Sequence, residues 1–544
     1  MKIKPADITI YENGNIRSNQ FNDIYFIPEK GINESNYIFI EPSNFQEQPT
    51  AILEFGFGTG LNFLLTLHKF KTNLENLTFI SIEKHPIIKK ELIKIYSFLP
   101  SYLKQYANEL INNYPDINYG QYKINIFGAT LILYFDDIKN CITNIKNNID
   151  VIYLDGFSPN KNPDMWGGNL FNHCHKILNK NGIITTFSAS SNVRKTLEES
   201  NFFVEKRNGF AKKKECIIAR KSILRINDNI KSIAIVGAGI TGLTIADKLQ
   251  QNGYVVNLYD HTGIMTGASG NPLAILDPRF YNTDKNEGIF NRNAYLYSIE
   301  YYNKKDCFAV KGLLKHTSER LDNEPLKSWT TIQNIESKHI SYKDNSLFFP
   351  SGGAIDTNKL KNKLTTNINF IKSKIKSPSD LDEDLIFICT GAETNKIVNI
   401  KYTINRGVIG ITDSTIGSDK VESQNGYYIN SKKLNLCLIG SNFTRVEKIS
   451  LYQPTQKDKE QIIKKTQNLI TIDKEISMRY GYRCNTKYRV PSIQQIDEKT
   501  ICVCGMGSRG YINAPYIAQI ITDIITNKIT TKDFKILKLL TKQI

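Results

Sequence analysis

Three glycines near the middle of the 544-residue chain have the spacing of a phosphate-binding turn. Gly237, Gly239 and Gly242 follow the apolar run at 233–236 and open a segment predicted to be helical over 243–251. The first glycine permits a tight turn, the second lets the backbone approach a pyrophosphate, and the third allows the helix to pack closely on the strand. The N-terminus of the helix would face the phosphates. This pattern predicts a dinucleotide site.

An acidic residue stands where such a site needs an acceptor for ribose hydroxyls. Asp260 follows the next predicted strand, at 255–259, about 20 residues after the glycines. A purely structural glycine turn is the alternative interpretation, because glycine-rich turns are common. The strand before the glycines, the helix after them and the acid at this distance favour the dinucleotide site.

A second glycine turn lies near the N-terminus, and its spacing is different. Gly56, Gly58 and Gly60 alternate as GxGxG between a predicted strand at 51–55 and a predicted helix at 61–70. This arrangement resembles class I S-adenosylmethionine-dependent methyltransferases. The resemblance implies that the turn passes close to the methionine part of that cofactor. The acids at strand ends that we expect to help bind it are Glu54, Glu83 and Asp137.

The stretch Asp155-Gly156-Phe157-Ser158-Pro159 follows an apolar strand predicted at 151–154. It resembles the [Asp/Asn]-Pro-Pro-aromatic loop of methyltransferases that act on exocyclic or alkyl amines. An amine is a nucleophile only when it is deprotonated, so Asp155 is the expected proton acceptor. Phe157 and Trp166 would exclude water or stack on a base. Alternatively, Asp155 caps the turn that follows it.

Around these residues, strands and helices alternate through residues 1–228, which predicts an α/β domain with a parallel sheet. Ligands of such sheets bind at the carboxyl ends of the strands, where the glycine turns and acids fall. Residues 229–544 contain the second glycine-turn domain. We expect 229–280, 381–400 and 495–544 to bind the dinucleotide, and 281–380 with 401–494 to form a mixed substrate-side domain.

Several stretches of the second half resemble two-domain flavoproteins of the glycine oxidase and D-amino acid oxidase family. They are the small-residue loop 267–271, the strand-then-glycine run at 385–391, Gly481-Tyr482-Arg483, and the glycine-rich run 505–510 before a helix predicted from Ala514. The resemblance implies FAD. It also implies that Arg483 binds a substrate carboxylate and that Arg509 lies beside the flavin, although either arginine could be structural. The expected flavin-binding residues are Gly237, Gly239, Gly242, Asp260, Ser269, Gly270, Asn271, Gly391, Gly507 and Gly510.

Composition limits the class of protein. The hydrophobic content of 40% and the nine scattered cysteines suit a cytoplasmic protein with reduced thiols. No apolar run reaches the roughly 18 residues of a membrane span, and no metal-ligand spacing stands out. A monomer is expected. The net charge of +17 suits either solvated lysines or a polyanionic partner. Cations near the end of the first domain, among them Lys212, Lys213 and Lys214, are expected to contact phosphates.

The order of the two halves resembles the bacterial family of bifunctional tRNA 5-methylaminomethyl-2-thiouridine biosynthesis proteins. The residues that carry the resemblance are FNDIYF (21–26), FGFGTGLNFL (55–64), LDGFSPNKNPDMW (154–166), GASGN (267–271), and GSRG with Ala514-Pro515. The resemblance implies FAD-dependent removal of a carboxymethyl group from the wobble uridine of tRNA, followed by methylation of the amine. Two alternatives are a free amino-acid oxidase fused to a small-molecule amine methyltransferase, and a tRNA-binding scaffold without catalysis.

Overall fold

The strands predicted around the two glycine turns lie at the centres of two separate parallel sheets. The chain divides into two units, residues 1–223 and 224–544, close to the boundary expected at 228. The computed structural model describes residues 3–43, 48–145, 148–211, 215–221, 224, 226, 229–279, 286–316, 339–343, 346–412, 417–470, 475–526, 528 and 534–541.

Unit 1 is built on an eight-stranded sheet whose five central strands are parallel. Short apolar runs form these strands because helices cover both faces of the sheet. In spatial order the strands are Phe203–Asn208, Glu215–Arg220, Leu178–Thr186, Ile149–Leu154, Ala51–Phe55, Thr78–Glu83, Ala129–Phe135 and Gly120–Ile126. The predicted α/β class is confirmed.

Neighbouring residues of one central strand enter different cores. Ile52 packs in the core on one face and Leu53 in the core on the other. The α-helices of the unit are Lys30–Ser35, Glu41–Ser43, Leu61–Lys69, Lys89–Tyr96, Ser101–Asn113, Ile138–Cys141, Gly168–Ile177 and Ser191–Glu199, with a π-helix at Asn36–Ile40. The 3₁₀ turns are Leu74–Asn76, Ile142–Asn144 and Pro163–Trp166. A small antiparallel sheet comprises Ile8–Ile10, Ile16–Ser18 and Asp23–Phe26.

Unit 2 contains a six-stranded sheet that carries the Gly237 turn. Its first five strands are parallel and its last is antiparallel. The order is Asn369–Ile371, Val255–Tyr259, Ser232–Val236, Leu385–Ile388, Thr500–Cys504 and Ser492–Gln495. The strand–turn–helix arrangement predicted around the glycines is confirmed, and the helix spans Ile240–Gln251.

The second sheet of unit 2 has ten strands and is mostly antiparallel. Eight follow the order Leu273–Leu276, Ser346–Asp356, Phe308–His316, Lys420–Ser423, Tyr427–Ser431, Leu436–Gly440, Thr403–Thr412 and Thr444–Val446. Ser341–Lys343 pairs with the second of these strands, and Ser477–Asn485 pairs with the seventh. The α-helices of the unit are Ile240–Gln251, Asn286–Lys304, Thr357–Thr365, Gln456–Thr466, Gly510–Ile525 and Phe534–Leu540, with 3₁₀ turns at Pro378–Asp380, Gly391–Lys396 and Gly507–Arg509.

Two short strands of unit 2 were each expected in one sheet and lie in the other. Leu273–Leu276, expected in the dinucleotide-binding part, pairs with the ten-stranded sheet. Asn369–Ile371, expected on the substrate side, pairs with Val255–Tyr259 in the six-stranded sheet. Strands of three or four residues are too short to show a period, so their pairing partners determine where they lie.

The last long helix begins earlier than its sequence indicated. The sequence predicts this helix from Ala514, but it spans Gly510–Ile525 with Pro515 inside. Pro515 has no N–H to donate to the carbonyl of Tyr511. The hydroxyl of Tyr302 donates to that carbonyl at 2.7 Å and satisfies it.

All nine cysteines are buried and none is in a disulfide. Within the described ranges, no helix combines the length and apolar character needed to cross a bilayer. The same part of the chain has no cluster of three or more His, Cys, Asp or Glu side chains arranged to hold a metal ion.

The contact between Gly242 and Gly237 generates a first prediction. A Cβ atom at residue 242 would overlap the carbonyl oxygen of Gly237, which is backbone and cannot turn aside. We expect Gly242→Ala to lower the free energy of unfolding by about 1–3 kcal/mol, measured by guanidinium unfolding of the full chain. Gly267→Ala is the control, because a Cβ there meets nothing within 4 Å. Equal stability of the two variants would contradict the prediction.

Candidate cofactor and substrate sites

Each unit contains one large cavity at the carboxyl ends of its parallel strands. The first cavity, in unit 1, has a volume of about 680 Å³ and is lined by the Gly56 turn. The second cavity, in unit 2, has a volume of about 1000 Å³ and is lined by the Gly237 turn. Both lie where the fold predicts a ligand.

Most of the residues expected to act in unit 1 lie at the first cavity. They are Gly56, Gly58, Glu83, Asp137, Asp155 and Phe157. Glu54, Gly60 and Trp166 are not among its lining residues, and all three lie behind it. Glu54 is only 1% exposed beneath the turn. The indole N–H of Trp166 donates to the carbonyl of Phe157 at 3.0 Å, so Trp166 supports the loop instead of forming the wall.

Asn62 joins the carboxyl groups of Glu54 and Asp155. Its Nδ2 donates to Glu54 Oε1 at 3.0 Å and to Asp155 Oδ2 at 2.7 Å. Ser81 also donates to Glu54, at 2.7 Å. Burial raises the pKa of Glu54 well above its ordinary value, and the Asp155 charge adds to that rise against these hydrogen bonds. Glu54 is therefore a buried carboxyl group with a raised pKa that helps to hold Asp155 through Asn62.

Two more acids border the first cavity and are held by donors. Glu83 accepts from the backbone N–H groups of Gly58 at 2.9 Å and His85 at 2.8 Å, while burial raises its pKa. Asp137 accepts from the N–H of Lys139 and pairs with Lys84 at 2.7 Å. Both acids thus border the cavity, but their oxygens are partly occupied by partners within the unit.

An aromatic wall stands beside Asp155. Phe157 stacks on Phe21, with ring centroids 4.5 Å apart, and meets the edge of Tyr25 at 4.9 Å. Sequence reasoning did not assign individual roles to Phe21 or Tyr25, because the N-terminal segment has no glycine signature. FNDIYF (21–26) was the available signal, since three of its six residues are aromatic. This wall can exclude water and stack on a planar ring.

The donor and acceptor groups of the first cavity fit S-adenosylmethionine. The buried Oδ1 of Asn62 accepts no hydrogen bond from the described residues, so an acceptor remains for a bound ammonium or hydroxyl group. Glu83 and the Gly56 turn supply an acid and close backbone approach at the same wall. These are the groups that a nucleoside with a charged amino acid tail requires.

Ten of the residues expected to act in unit 2 line the second cavity. They are Gly237, Gly239, Asp260, Ser269, Asn271, Gly391, Arg483, Gly507, Arg509 and Gly510. Gly242 and Gly270 do not line it. Gly242 packs on the Gly237 carbonyl, and a Cβ at Gly270 would overlap the Met265 carbonyl oxygen. These two glycines therefore allow close packing behind the cavity wall.

Asp260 lies at the cavity with its carboxylate held by backbone. It accepts from the N–H groups of Ala238 at 2.9 Å, Thr262 at 2.8 Å and Gly263 at 3.2 Å. Burial alone would raise the pKa of Asp260, but these donors outweigh burial and the net shift is downward. The side chain is an ionised acceptor, as a ribose-binding acid must be.

The loop 266–271 is fixed by a residue that sequence reasoning missed. Arg479 donates to Asn271 Oδ1 at 2.7 Å and to the carbonyls of Thr266 at 2.8 Å and Gly267 at 2.6 Å. Ser269 Oγ accepts from the N–H of Ile240 at 3.0 Å, at the start of the helix. Arg479 lies four residues before Arg483 on one strand, and the sequence did not show which of the two would face the loop.

Arg483 lines the second cavity and has an unused buried donor. Its Nη1 is buried and forms no hydrogen bond with any described residue. The guanidinium carbon lies 5.0 Å from the ring centroid of Phe443, and burial lowers the pKa of Arg483. A buried guanidinium with a free N–H is suited to a carboxylate ligand, which arginine binds through two parallel hydrogen bonds.

Arg509 and two glycines complete the cavity. Arg509 Nε donates to the carbonyl of Asp277 at 3.2 Å, so part of its guanidinium is fixed to the backbone. A Cβ at Gly267 or Gly391 would meet nothing within 4 Å, because both glycines face the cavity space. Bare backbone along a cavity that also carries the phosphate-binding turn fits FAD, whose flat ring needs close approach.

The cations expected to contact phosphates lie on and beside the hairpin of strands Phe203–Asn208 and Glu215–Arg220. Several of them have partners within unit 1. Lys206 pairs with Glu215 at 2.7 Å, Arg220 lies 3.6 Å from Glu205, and Arg207 lies over the ring of Tyr37. Lys212, Lys213 and Lys214 lie outside the described residues. The structure thus offers few free cations on the described part of this hairpin.

Comparison with known proteins gives the same order of domains. The sequence model described as FAD dependent oxidoreductase matches residues 232–524. The one described as S-adenosyl-L-methionine-dependent methyltransferase matches residues 101–222. The first match includes the Gly237 turn and Arg483, and the second includes Asp155.

Individual proteins are similar to this chain over much of its length. The tRNA 5-methylaminomethyl-2-thiouridine biosynthesis bifunctional protein of Leptospira interrogans is 31% identical over 369 residues, covering 62% of this chain and 57% of that protein. The protein of the same description from Campylobacter concisus is 26% identical, covering 88% of this chain and 84% of that protein. Glycine oxidase from Geobacillus kaustophilus is a structural neighbour, with 15% identity and a TM-score of 0.47, over 57% of this chain and 98% of that one.

The Glu54 carboxyl group generates a prediction about pH. Because its pKa is raised in the folded state, its stabilising contribution is fully present below the unfolded pKa and is lost as the pH rises through the folded pKa. We expect the free energy of unfolding of the wild type to fall more steeply than that of Glu54→Gln as the pH rises above the ordinary glutamate pKa. Glu12→Gln, at an exposed carboxyl of the same unit, is the control. Superimposable pH profiles for wild type and Glu54→Gln would refute a raised pKa for Glu54.

Proposed function

Because the chain belongs to the FAD dependent oxidoreductase family, we propose that its second unit oxidises a C–N bond in tRNA and that its first unit methylates the amine that results. The substrate is the 5-carboxymethylaminomethyl group of the wobble uridine, with or without 2-thiolation. The intermediate product is the aminomethyl nucleoside and the final product is the methylaminomethyl nucleoside. The two similar proteins compared above support this assignment, because both are described as bifunctional proteins of tRNA 5-methylaminomethyl-2-thiouridine biosynthesis.

The observation that carries the proposal is the free guanidinium N–H of Arg483 in the second cavity. The carboxymethylaminomethyl group ends in a carboxylate, and the aminomethyl product does not. A site built to bind that carboxylate therefore selects the first substrate and releases the product. Asp155, in the other unit, suits the amine that the first reaction exposes.

In the oxidation, FAD held by the Gly237 turn and Asp260 would supply a hydride acceptor for the carbon between the amine and the carboxylate, and the amine proton would pass to water. Water then adds to the resulting C=N bond, which breaks to give a two-carbon oxo-acid and the free aminomethyl group. Arg483 binds and orients the carboxylate throughout. Phe443, whose ring lies beside the guanidinium, covers that cation and limits its contact with water. The reaction also requires an external electron acceptor of the oxygen or quinone class.

In the methylation, S-adenosylmethionine provides the methyl group as an electrophile. Asp155 accepts the proton that the amine loses as its nitrogen forms the new bond to carbon. Asn62 holds Asp155 by a hydrogen bond of 2.7 Å, which fixes the carboxylate in one orientation. Phe157, Phe21 and Tyr25 form an aromatic wall on which an unpaired base can stack.

The purified chain can be tested with tRNA that carries the carboxymethylaminomethyl nucleoside, followed by nucleoside mass spectrometry with and without S-adenosylmethionine. We expect the aminomethyl nucleoside without the methyl donor and the methylaminomethyl nucleoside with it. Turnover of glycine or sarcosine without any change in tRNA nucleosides would instead assign the chain as a small-molecule oxidase.

Arg483 should matter for oxidation alone. We expect Arg483→Gln to lower kcat/KM for the carboxymethylaminomethyl tRNA by about 10- to 100-fold, the effect of losing a hydrogen bond to a charged group. Arg483→Lys should recover only part of the activity, because lysine lacks the planar pair of donors. Methylation of tRNA that already carries the aminomethyl nucleoside is the internal control. If Arg483→Gln lost both activities equally, the carboxylate role would be wrong.

Asp155 should show the reverse pattern. We expect Asp155→Ala to slow methylation of the aminomethyl tRNA by about 10²- to 10⁴-fold, since a positioned proton acceptor contributes that much. Its oxidation rate and bound flavin absorbance should match the wild type. Unchanged methylation in Asp155→Ala would leave Asp155 as a cap of the following turn.

A further inference from the structure

A third opening, in unit 2, is lined by cations and by no acid. This basic pocket has a volume of about 480 Å³, and its charged lining residues are Arg279, Arg445, Lys487, Arg489 and Arg509. The remaining lining residues are asparagine, threonine, serine, glycine and one methionine. A concave surface with five positive charges and no negative one concentrates anions.

Three of these cations are not neutralised by the protein. Arg445, Lys487 and Arg489 are exposed, and none of them forms a salt bridge with a described residue. The described cations of the unit 1 hairpin differ, because each of those discussed above has a partner inside its own unit. The basic pocket therefore has more unpaired positive charge than the described part of the unit 1 hairpin, where the sequence predicted phosphate contacts.

The basic pocket adjoins the second cavity. Arg279, Arg509 and the segment 505–508 line both. A ligand whose reacting group lies beside Arg483 needs additional length to reach the basic pocket on the other side of this shared wall. A free amino acid such as glycine is too small to occupy both places, whereas a nucleotide within a strand carries phosphates on either side of its base.

One further group at the basic pocket suits a nucleotide in particular. Asn513 lines it, is 4% exposed, and its Oδ1 accepts no hydrogen bond from the described residues. That oxygen is available to a sugar hydroxyl.

We propose that the basic pocket binds the phosphodiester backbone of the single-stranded RNA loop next to the nucleotide whose side chain is oxidised. This proposal rests on the function proposed above and adds a site to it. Arg445, Lys487 and Arg489 contact phosphates, and Asn513 accepts from a ribose hydroxyl. The pocket thereby distinguishes a nucleotide in RNA from the same amine carried by a small molecule.

The test compares two triple variants that remove the same charge. The first is Arg445→Gln, Lys487→Gln and Arg489→Gln. The second, a control, is Lys433→Gln, Lys457→Gln and Lys464→Gln, at exposed lysines of the same unit that line neither the basic pocket nor the second cavity. Binding of carboxymethylaminomethyl tRNA to each full-length variant is measured by fluorescence anisotropy over a range of salt concentrations. Flavin absorbance reports that unit 2 has folded.

We expect the first triple to raise the Kd for tRNA at least about tenfold, and the salt dependence of log Kd to become shallower by about 0.7 for each lost phosphate contact. The control triple should change both quantities much less. Equal losses in the two triples, or no loss in the first, would overturn the basic pocket as an RNA site.

Nucleoside mass spectrometry on the same samples separates this proposal from the function. If the wild type modifies tRNA and the first triple binds it normally, the basic pocket is wrong and the function stands. If the first triple loses binding while the wild type binds tRNA without changing its nucleosides, the basic pocket stands and the function is wrong. A wild type that does not bind tRNA would overturn both.

Discussion

The close contact between a helix and the turn before it is the constraint on which unit 2 depends. The helix Ile240–Gln251 approaches the carbonyl of Gly237 so closely that residue 242 can carry no side chain. Gly237 itself has φ of +109°, which other residues rarely adopt. This approach brings the helix N-terminus to the cavity and leaves the Ala238 N–H directed at Asp260. Packing and cofactor recognition therefore depend on the same few atoms.

In unit 1 the carboxyl groups of Glu54 and Asp155 lie near each other in a poorly solvated environment. Two ionised carboxylates there would repel each other, and burial would disfavour both charges. One amide group resolves the conflict, since Asn62 donates one N–H to each carboxyl group. Glu54, whose pKa burial raises, lies behind the cavity, while Asp155 lines it. The two chemically similar side chains thus occupy different environments.

The sequence predicted the parts of the structure that depend on local pattern. The glycine turns, the apolar strands and the acids at strand ends could be located because each needs particular residue types at short spacing. The sequence did not reveal Arg479, Phe21 or Tyr25, whose roles depend on partners far away in the chain. Trp166 was misjudged for a related reason, because a large aromatic side chain can support a loop from behind or line its cavity with the same local sequence.

The anchoring of the loop 266–271 by Arg479 joins the two sheets of unit 2. Arg479 belongs to the ten-stranded sheet, and the loop that it holds also bonds, through Ser269, to the helix of the six-stranded sheet. Neither sheet can lose its structure without releasing this loop. The loop therefore acts as a mechanical coupling, and a ligand that binds against it stabilises both sheets at once. Unit 2 should consequently unfold in one cooperative transition, although its strands belong to two separate sheets.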